Sequence, residues 1–315
     1  MPRDERTRAP DPLSDVLSTL QLQGDVYART EAAAPWAIAF PRGEARFHMV
    51  ERGEVWVQVD GVKKPIFAAA GDLLMIPHGA AHTLGDRLGR RAAPLLELIK
   101  TQRGNEAFVF RVGRGKADTF LSCGRFHLEP TGRAMLLAAL PPVLLVKGHG
   151  GRPHEPLDLV LHLFIGEIHN DAPGSVIASA RLVELMLVHA IRRWLSDQEK
   201  GAGGWLGATR DPQIGAALAK IHAAPQEPWT VSALAAKVGL SRSPFAERFA
   251  LLVGEPPLKY LTRWRMRLAA RLLGGGQSVH DVAEAIGYAS EAAFSRTFKK
   301  YMGEAPVKFR GTDYK

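Results

Sequence analysis

Four side chains in the first half of the chain could act together: His48, His82, Cys123 and His127. Imidazole and thiolate suit Zn²⁺ or Cu, so their convergence at one barrel opening would make a metal or effector site. The competing reading is a pair of barrel-lining histidines beside an inert, half-buried Cys123, because His/Cys sets without local spacing often bind nothing. Cys123 is the sole cysteine, which excludes an intramolecular disulfide and a Cys-x-x-Cys zinc site. No Ser/His/Asp set, phosphate-binding glycine loop or pair of carboxylates stands at a spacing that chemistry requires. A second set is basic. Lys259, Arg263, Arg267 and Arg271 recur every fourth residue and would form one stripe on a helix. Like charges at that spacing cost about 0.2–0.5 kcal/mol per pair, a cost that phosphate oxygens would remove. A solvated face is the plainer alternative.

The elements around that stripe form a repeat. Leu234-Ala-Ala-Lys-Val-Gly239, Phe245-Ala-Glu-Arg-Phe249 and Gly254-Glu-Pro-Pro257 return as Val282-Ala-Glu-Ala-Ile-Gly287, Phe294-Ser-Arg-Thr-Phe298 and Gly303-Glu-Ala-Pro306. The offset is 48 residues before the internal glycine and 49 after it. Each copy reads as a short helix, a glycine turn and a second helix. Such a layout can place its second helix in a DNA major groove. Thr230, Ser241, Ser278 and Ser290 stand where N-caps belong. A helix from about Pro257 to Leu273 joins the copies and carries the basic stripe.

At this point the chain resembles the AraC/XylS family of bacterial transcription regulators. The resemblance runs over 210–312. It rests on Gly239-Leu-Ser-Arg-Ser-Pro-Phe-Ala-Glu-Arg-Phe249, Arg265-Met-Arg-Leu-Ala-Ala-Arg-Leu-Leu273, Ile286-Gly287-Tyr288 and Phe294-Ser-Arg-Thr-Phe-Lys299. It implies two motifs that read successive major grooves of double-stranded DNA. Base-facing positions then fall on Arg242, Ser243, Ala246 and Glu247, and on Glu291, Ala292, Ser295 and Arg296. Arg296 can bond guanine O6 and N7 together; its plainer role is an ion pair with Glu291 or another acid. Glu247 can accept from cytosine or pair with Arg248. Lys259, Arg263, Arg267, Lys299 and Lys300 are the expected phosphate contacts. The resemblance also implies RNA polymerase as a partner, activation of transcription and a dimerising helix over 175–196.

Ahead of the repeat the periodicity changes. Phe47-His-Met-Val50, Val55-Trp-Val-Gln-Val59, Pro65-Ile-Phe67 and Leu73-Leu-Met-Ile76 are short strands separated by glycine turns, the pattern of a small antiparallel barrel or sandwich. Gly71-Asp-Leu-Leu-Met-Ile-Pro77-His-Gly79-Ala-Ala-His82 fits the second motif of the cupins, and 47–84 resembles that fold. A cupin enzyme would need a fuller metal set: only His48 stands where a His-x-His pair is expected, and Glu51 and Glu54 are out of place. A hairpin is expected around Pro94–Ile99 and Ala107–Phe110, a last strand over 120–128, and helices over 157–168 and 175–196.

Composition supports two domains. Net charge is +9, and 205–315 holds 16 Lys and Arg against 9 Asp and Glu. The surplus sits in the repeat, as a polyanion-binding domain requires. The longest apolar run, Met135–Val146, is interrupted by Pro141-Pro142 and is too short to span a bilayer. With no apolar signal core in Met1–Pro12, a cytoplasmic protein is expected. The expected fold class is α+β multidomain. It comprises a tail (1–12), a cupin-like sensor (13–150), a helical dimerisation region (151–199), a flexible linker (200–209) and an all-α double helix-turn-helix domain (210–312). The function is then a DNA-binding regulator whose barrel senses a small molecule, metal or oxidant. The alternative is a metal-dependent cupin enzyme with an appended nucleic-acid module.

Overall fold

The computed structural model describes residues 11–18, 23–101, 109–127, 136–148, 156–169, 172–198 and 204–310. They divide into a sheet-rich unit within 22–128 and 140–197, and a helical unit formed chiefly by 198–315.

The sheet-rich unit faces two sheets together. Strands β1 (Gln23–Ala33), β3 (Ala45–Arg52), β6 (Leu73–Ile76), β9 (Val109–Gly113), β10 (Thr119–His127) and β11 (Leu144–Val146) make one, in the order β11-β6-β3-β10-β1-β9. Strands β2 (Ala37–Phe40), β4 (Glu54–Val59), β5 (Ile66–Ala69), β7 (His82–Gly85) and β8 (Ala93–Pro94) make the other, ordered β5-β4-β7-β2-β8. Alternation sets the core: Val50, Leu121 and Cys123 from the first sheet meet Ile38, Val57 and Leu84 from the second. The expected strands appear, but the hairpin at Pro94–Ile99 does not. Leu95–Thr101 is a helix, α2. Leu95, Leu98 and Ile99 stand at i, i+3 and i+4 and pack on the core, so helical spacing prevails there. Residues 107 and 108 of that hairpin lie outside the described set.

Helices α3 (Pro156–His169) and α4 (Ser175–Asp197) match expectation and lie over the first sheet. Phe164 packs edge-on to Phe47, with ring centroids 5.9 Å apart. Gly24 lets α4 come close: a Cβ there would stand 2.3 Å from Cγ1 of Val183.

The helical unit contains α5 (Gly204–Ala208), α6 (Pro212–Ala223), α7 (Val231–Lys237), α8 (Arg242–Val253), α9 (Pro257–Gly274), α10 (Val279–Ala285), α11 (Glu291–Met302) and α12 (Pro306–Arg310). Of the expected flexible linker, 200–203 lies outside the described residues. From Gly204 the chain is instead a helix with Trp205, Leu206 and Ala208 buried, packed on α8. Burial of Trp205 and Leu206 overrides the glycine-rich composition around them. The N-terminal helix α1 (Pro12–Ser18) also departs from expectation. It was grouped with the barrel, yet it packs on α6 of the helical unit and buries Leu13 and Val16. Residues 1–10 of the expected tail lie outside the described residues.

Candidate nucleic-acid interface and the barrel core

Each reading head is built by caps and a pair of aromatic residues. Thr230, Ser278 and Ser290 accept from the backbone N–H of Ala233, Asp281 and Ala293, and so start α7, α10 and α11. Ser241 occupies the N-cap of α8 without a side-chain cap bond. Gly239 and Gly287 close the preceding helices at φ +70° and +78°, a region that side chains avoid. Phe245 and Phe249 of α8, and Phe294 and Phe298 of α11, are fully buried. The opposite faces are therefore outward. Arg242, Ser243, Glu247, Glu291, Ala292 and Arg296 are exposed, and Ala246 and Ser295 are half-buried. No ion pair joins Arg296 to Glu291 among the described residues. Arg248 does not serve Glu247: it donates to the Asp211 carboxylate at 2.6 Å, and Asp211 also caps α6.

The basic stripe on α9 divides. Lys259 and Arg271 are exposed, as are Lys299 and Lys300 in the last turn of α11. Arg263 and Arg267 are less exposed than the other two, Arg263 half-buried and Arg267 buried. Arg263 pairs with the buried Glu255 carboxylate and lies over the Tyr260 ring at 5.5 Å. Arg267 is 7% exposed. Burial, with Arg263 beside it, pulls its guanidinium down to about 10. Spacing of four placed all four on one face, but the middle of that face is covered while Lys259 and Arg271 at its two ends stay exposed.

In the barrel three of the four candidate ligands meet. His48 Nδ1 is 3.0 Å from Cys123 Sγ, and His48 Nε2 is 2.8 Å from His82 Nε2. His82 Nδ1 is 2.8 Å from the Ala80 carbonyl, so it donates there and its Nε2 accepts. His48 must then donate from Nε2 and accept the Cys123 S–H at Nδ1. The result is a neutral relay, Cys123 to His48 to His82 to backbone. Burial agrees with this assignment: it lowers His82 to about 4, holds His48 well below its usual value and pushes the thiol up to about 12. Phe40 stacks on His82 at 4.7 Å and closes the cluster.

His127 does not join them. It lies four residues along β10, roughly 13 Å from Cys123 at strand rise. It is exposed, 3.3 Å from Glu44. Glu51 faces the other side of β3, where it takes the Ser122 hydroxyl. Because His48 commits its two ring nitrogens to different partners, the donors do not converge on one point. This arrangement does not fit a single metal ion.

Comparison with known proteins agrees with both halves. The cupin family model matches 11–196, and a helix-turn-helix domain model matches 234–312. A putative AraC-like transcription regulator of Streptomyces lividans is 35% identical over 304 residues, covering 95% of this chain and 98% of that one. The chain belongs to the AraC-like family of DNA-binding transcription regulators, with a cupin N-terminal domain. The regulator is also similar to the HTH-type transcriptional regulator AlkR of Acinetobacter baylyi, 28% identical over 95% of this chain and 99% of that one. Among solved structures, the DNA-binding domain of AdpA in complex with a target DNA is 34% identical, covering 32% of this chain and 90% of that one, with a TM-score of 0.31.

The regulator is therefore not an enzyme, and none of its described helices is long and apolar enough to cross a membrane. Sequence reasoning missed Glu255, Arg265, Asp211 and His222 as structural residues. Glu255 had left a trace, since Gly-Glu-x-Pro occurs in both copies. His222 had none. It is buried between Tyr260, whose hydroxyl is 2.8 Å from Nε2, and Trp264, stacked at 4.1 Å, with Asp15 of α1 3.3 Å from Nδ1.

Proposed function

We propose that this regulator grips double-stranded DNA with the outer faces of α8 and α11 in successive major grooves. One observation carries the reading: in a single packed unit, both copies bury their phenylalanines and leave the opposite, polar faces in solvent. Arg296 reads a guanine, Glu247 accepts from a cytosine, and Ala246 and Ala292 meet thymine methyl groups. Arg242, Ser243, Glu291 and Ser295 complete the two base-facing surfaces. Lys259, Lys299 and Lys300 hold phosphates. The barrel domain senses a small molecule or an oxidant and passes the signal to the reading domain. Two chains pair through 175–196, where Ile177 and Leu185 are exposed, as are Leu159 and Leu163 of α3. In the cytoplasm the complex then acts on RNA polymerase as an activator.

The direct test is a titration of the intact protein against its own upstream DNA at fixed salt. Specific binding on the order of a thousandfold tighter than to random DNA is expected. Equal affinity for both would end this reading. Light scattering on the wild type and on Leu185→Glu tests the pairing; a dimer unaffected by the substitution places its interface elsewhere.

A further inference from the structure

We propose that two clasps on opposite sides of α9 set the spacing at which α8 and α11 can read one duplex. The proposal rests on the reading that both heads engage DNA together, and it adds the residues that fix their separation.

The first clasp begins at Glu255, in the turn that follows α8. Its side chain is 10% exposed and pairs with Arg263 of α9. One turn further along α9, Arg267 is buried within the fields of Arg263, Tyr260 and Glu255. This cluster therefore ties the turn behind the first head to the connecting helix. Charges buried so deeply are expensive, and similar apolar residues would often stabilise as well. Opposite charge fixes which groups face each other there.

The second clasp is built on Arg265, which projects from the other side of α9. Its Nε donates to the Pro225 carbonyl at 2.6 Å, and Nη2 donates to the Glu227 carbonyl at 2.8 Å. The same guanidinium lies over the ring of Tyr288, 5.8 Å from its centroid. Residues 225–227 lead into the first head, and Tyr288 belongs to the turn of the second. Beside it, Gly287 approaches the same loop so closely that a Cβ would stand 2.1 Å from the Gln226 carbonyl oxygen. A single helix between two heads would leave them free to rock about their own junctions. Polar bonds on one side and a backbone contact on the other remove that freedom.

A one-base-pair insertion moves the second subsite by roughly 3.4 Å and turns it by about a tenth of a helical turn. Two locked heads cannot follow that shift, whereas loosened heads can. The experiment uses the intact chain. Its probe is the tightest duplex that the wild type selects from a random pool, with and without one base pair inserted between the two footprinted segments. The wild type should lose at least about tenfold in affinity on insertion, the loss of one specific contact or more. Glu255→Gln and, independently, Arg265→Met should lose no more than about twofold, with circular-dichroism melting showing that each is folded. Glu304→Gln, the equivalent change in the second copy, should behave as wild type. A wild-type protein indifferent to the insertion overturns the proposal. So do folded variants that both keep the wild-type ratio. A wild-type footprint covering a single segment refutes the two-headed reading itself, a result distinct from either.

Discussion

The two helix-turn-helix copies share their local code and differ in what surrounds it. Gly239 and Gly287 hold the same turn with nearly the same φ. A Cβ added at Gly239 meets nothing within 4 Å, whereas at Gly287 it runs into the backbone of the loop that leads into the first copy. Glu255 and Glu304 hold the same place in Gly-Glu-x-Pro. Glu255 is buried against Arg263, whereas Glu304 is half-exposed and stands 4.0 Å from Lys308. Ser241 and Ser290 both precede a recognition helix, yet only Ser290 makes its cap bond. Duplication thus supplied two equivalent heads, and packing made them unequal by turning the second against the first.

The largest effects should be alike in both copies. Phe249→Ala and Phe298→Ala each empty a fully buried aromatic site and should cost about 3–5 kcal/mol in urea unfolding. A loss confined to one of them would mean that the two cores are not equivalent. Next comes the contrast between the glycines. Gly239→Ala should cost about 1–2 kcal/mol from its left-handed backbone alone. Gly287→Ala should cost more, since Gln226 must also move; equal midpoint shifts would refute the asymmetry.

Binding changes follow. Arg296→Ala should cost roughly 1–3 kcal/mol on the preferred duplex and relax preference at one base pair. Lys299→Ala should weaken all duplexes alike and reduce the salt slope by about one. Arg263→Ala, placed among the phosphate contacts by sequence, should leave the salt slope unchanged, because Arg263 already pairs with Glu255. A shallower slope for Arg263→Ala would restore it to the DNA-facing set. The smallest contrast lies at the caps. Ser290→Ala should cost about 1 kcal/mol, in line with loss of a capping bond. Ser241→Ala should cost only a few tenths by comparison, and thermal melting of both variants checks the difference.

Much of this architecture was legible in advance. Thr230, Ser278 and Ser290 cap, Gly239 and Gly287 close helices, and the four phenylalanines turn inward, because each choice is made within one or two helical turns. The cupin strands were readable for the same reason, since alternation and glycine turns are local. The sites were less legible. His48, His82 and Cys123 do meet, but spacing could not show that one imidazole would serve both neighbours and leave a neutral relay in place of a ligand set. His127 sits along the same strand and looked equivalent, yet it lies where β10 has left the core. Leu95–Thr101 was misread because a short apolar run suits a strand or a helix until a neighbour selects one.

By itself, the sequence determined the duplicated motif, its inward and outward faces, the segregation of positive charge and the sheet-rich character of the first domain. Periodicity, caps and glycine turns act over a few residues, so they are written where they act. Tertiary structure alone decided which arginines of α9 face solvent, where the N-terminal helix α1 docks, and how the heads are fastened together. Those outcomes depend on groups brought together from distant positions, Arg265 with Pro225 and Tyr288, Gly287 with Gln226, His222 with Asp15. Burial there reverses the ordinary preference of a charged side chain for water.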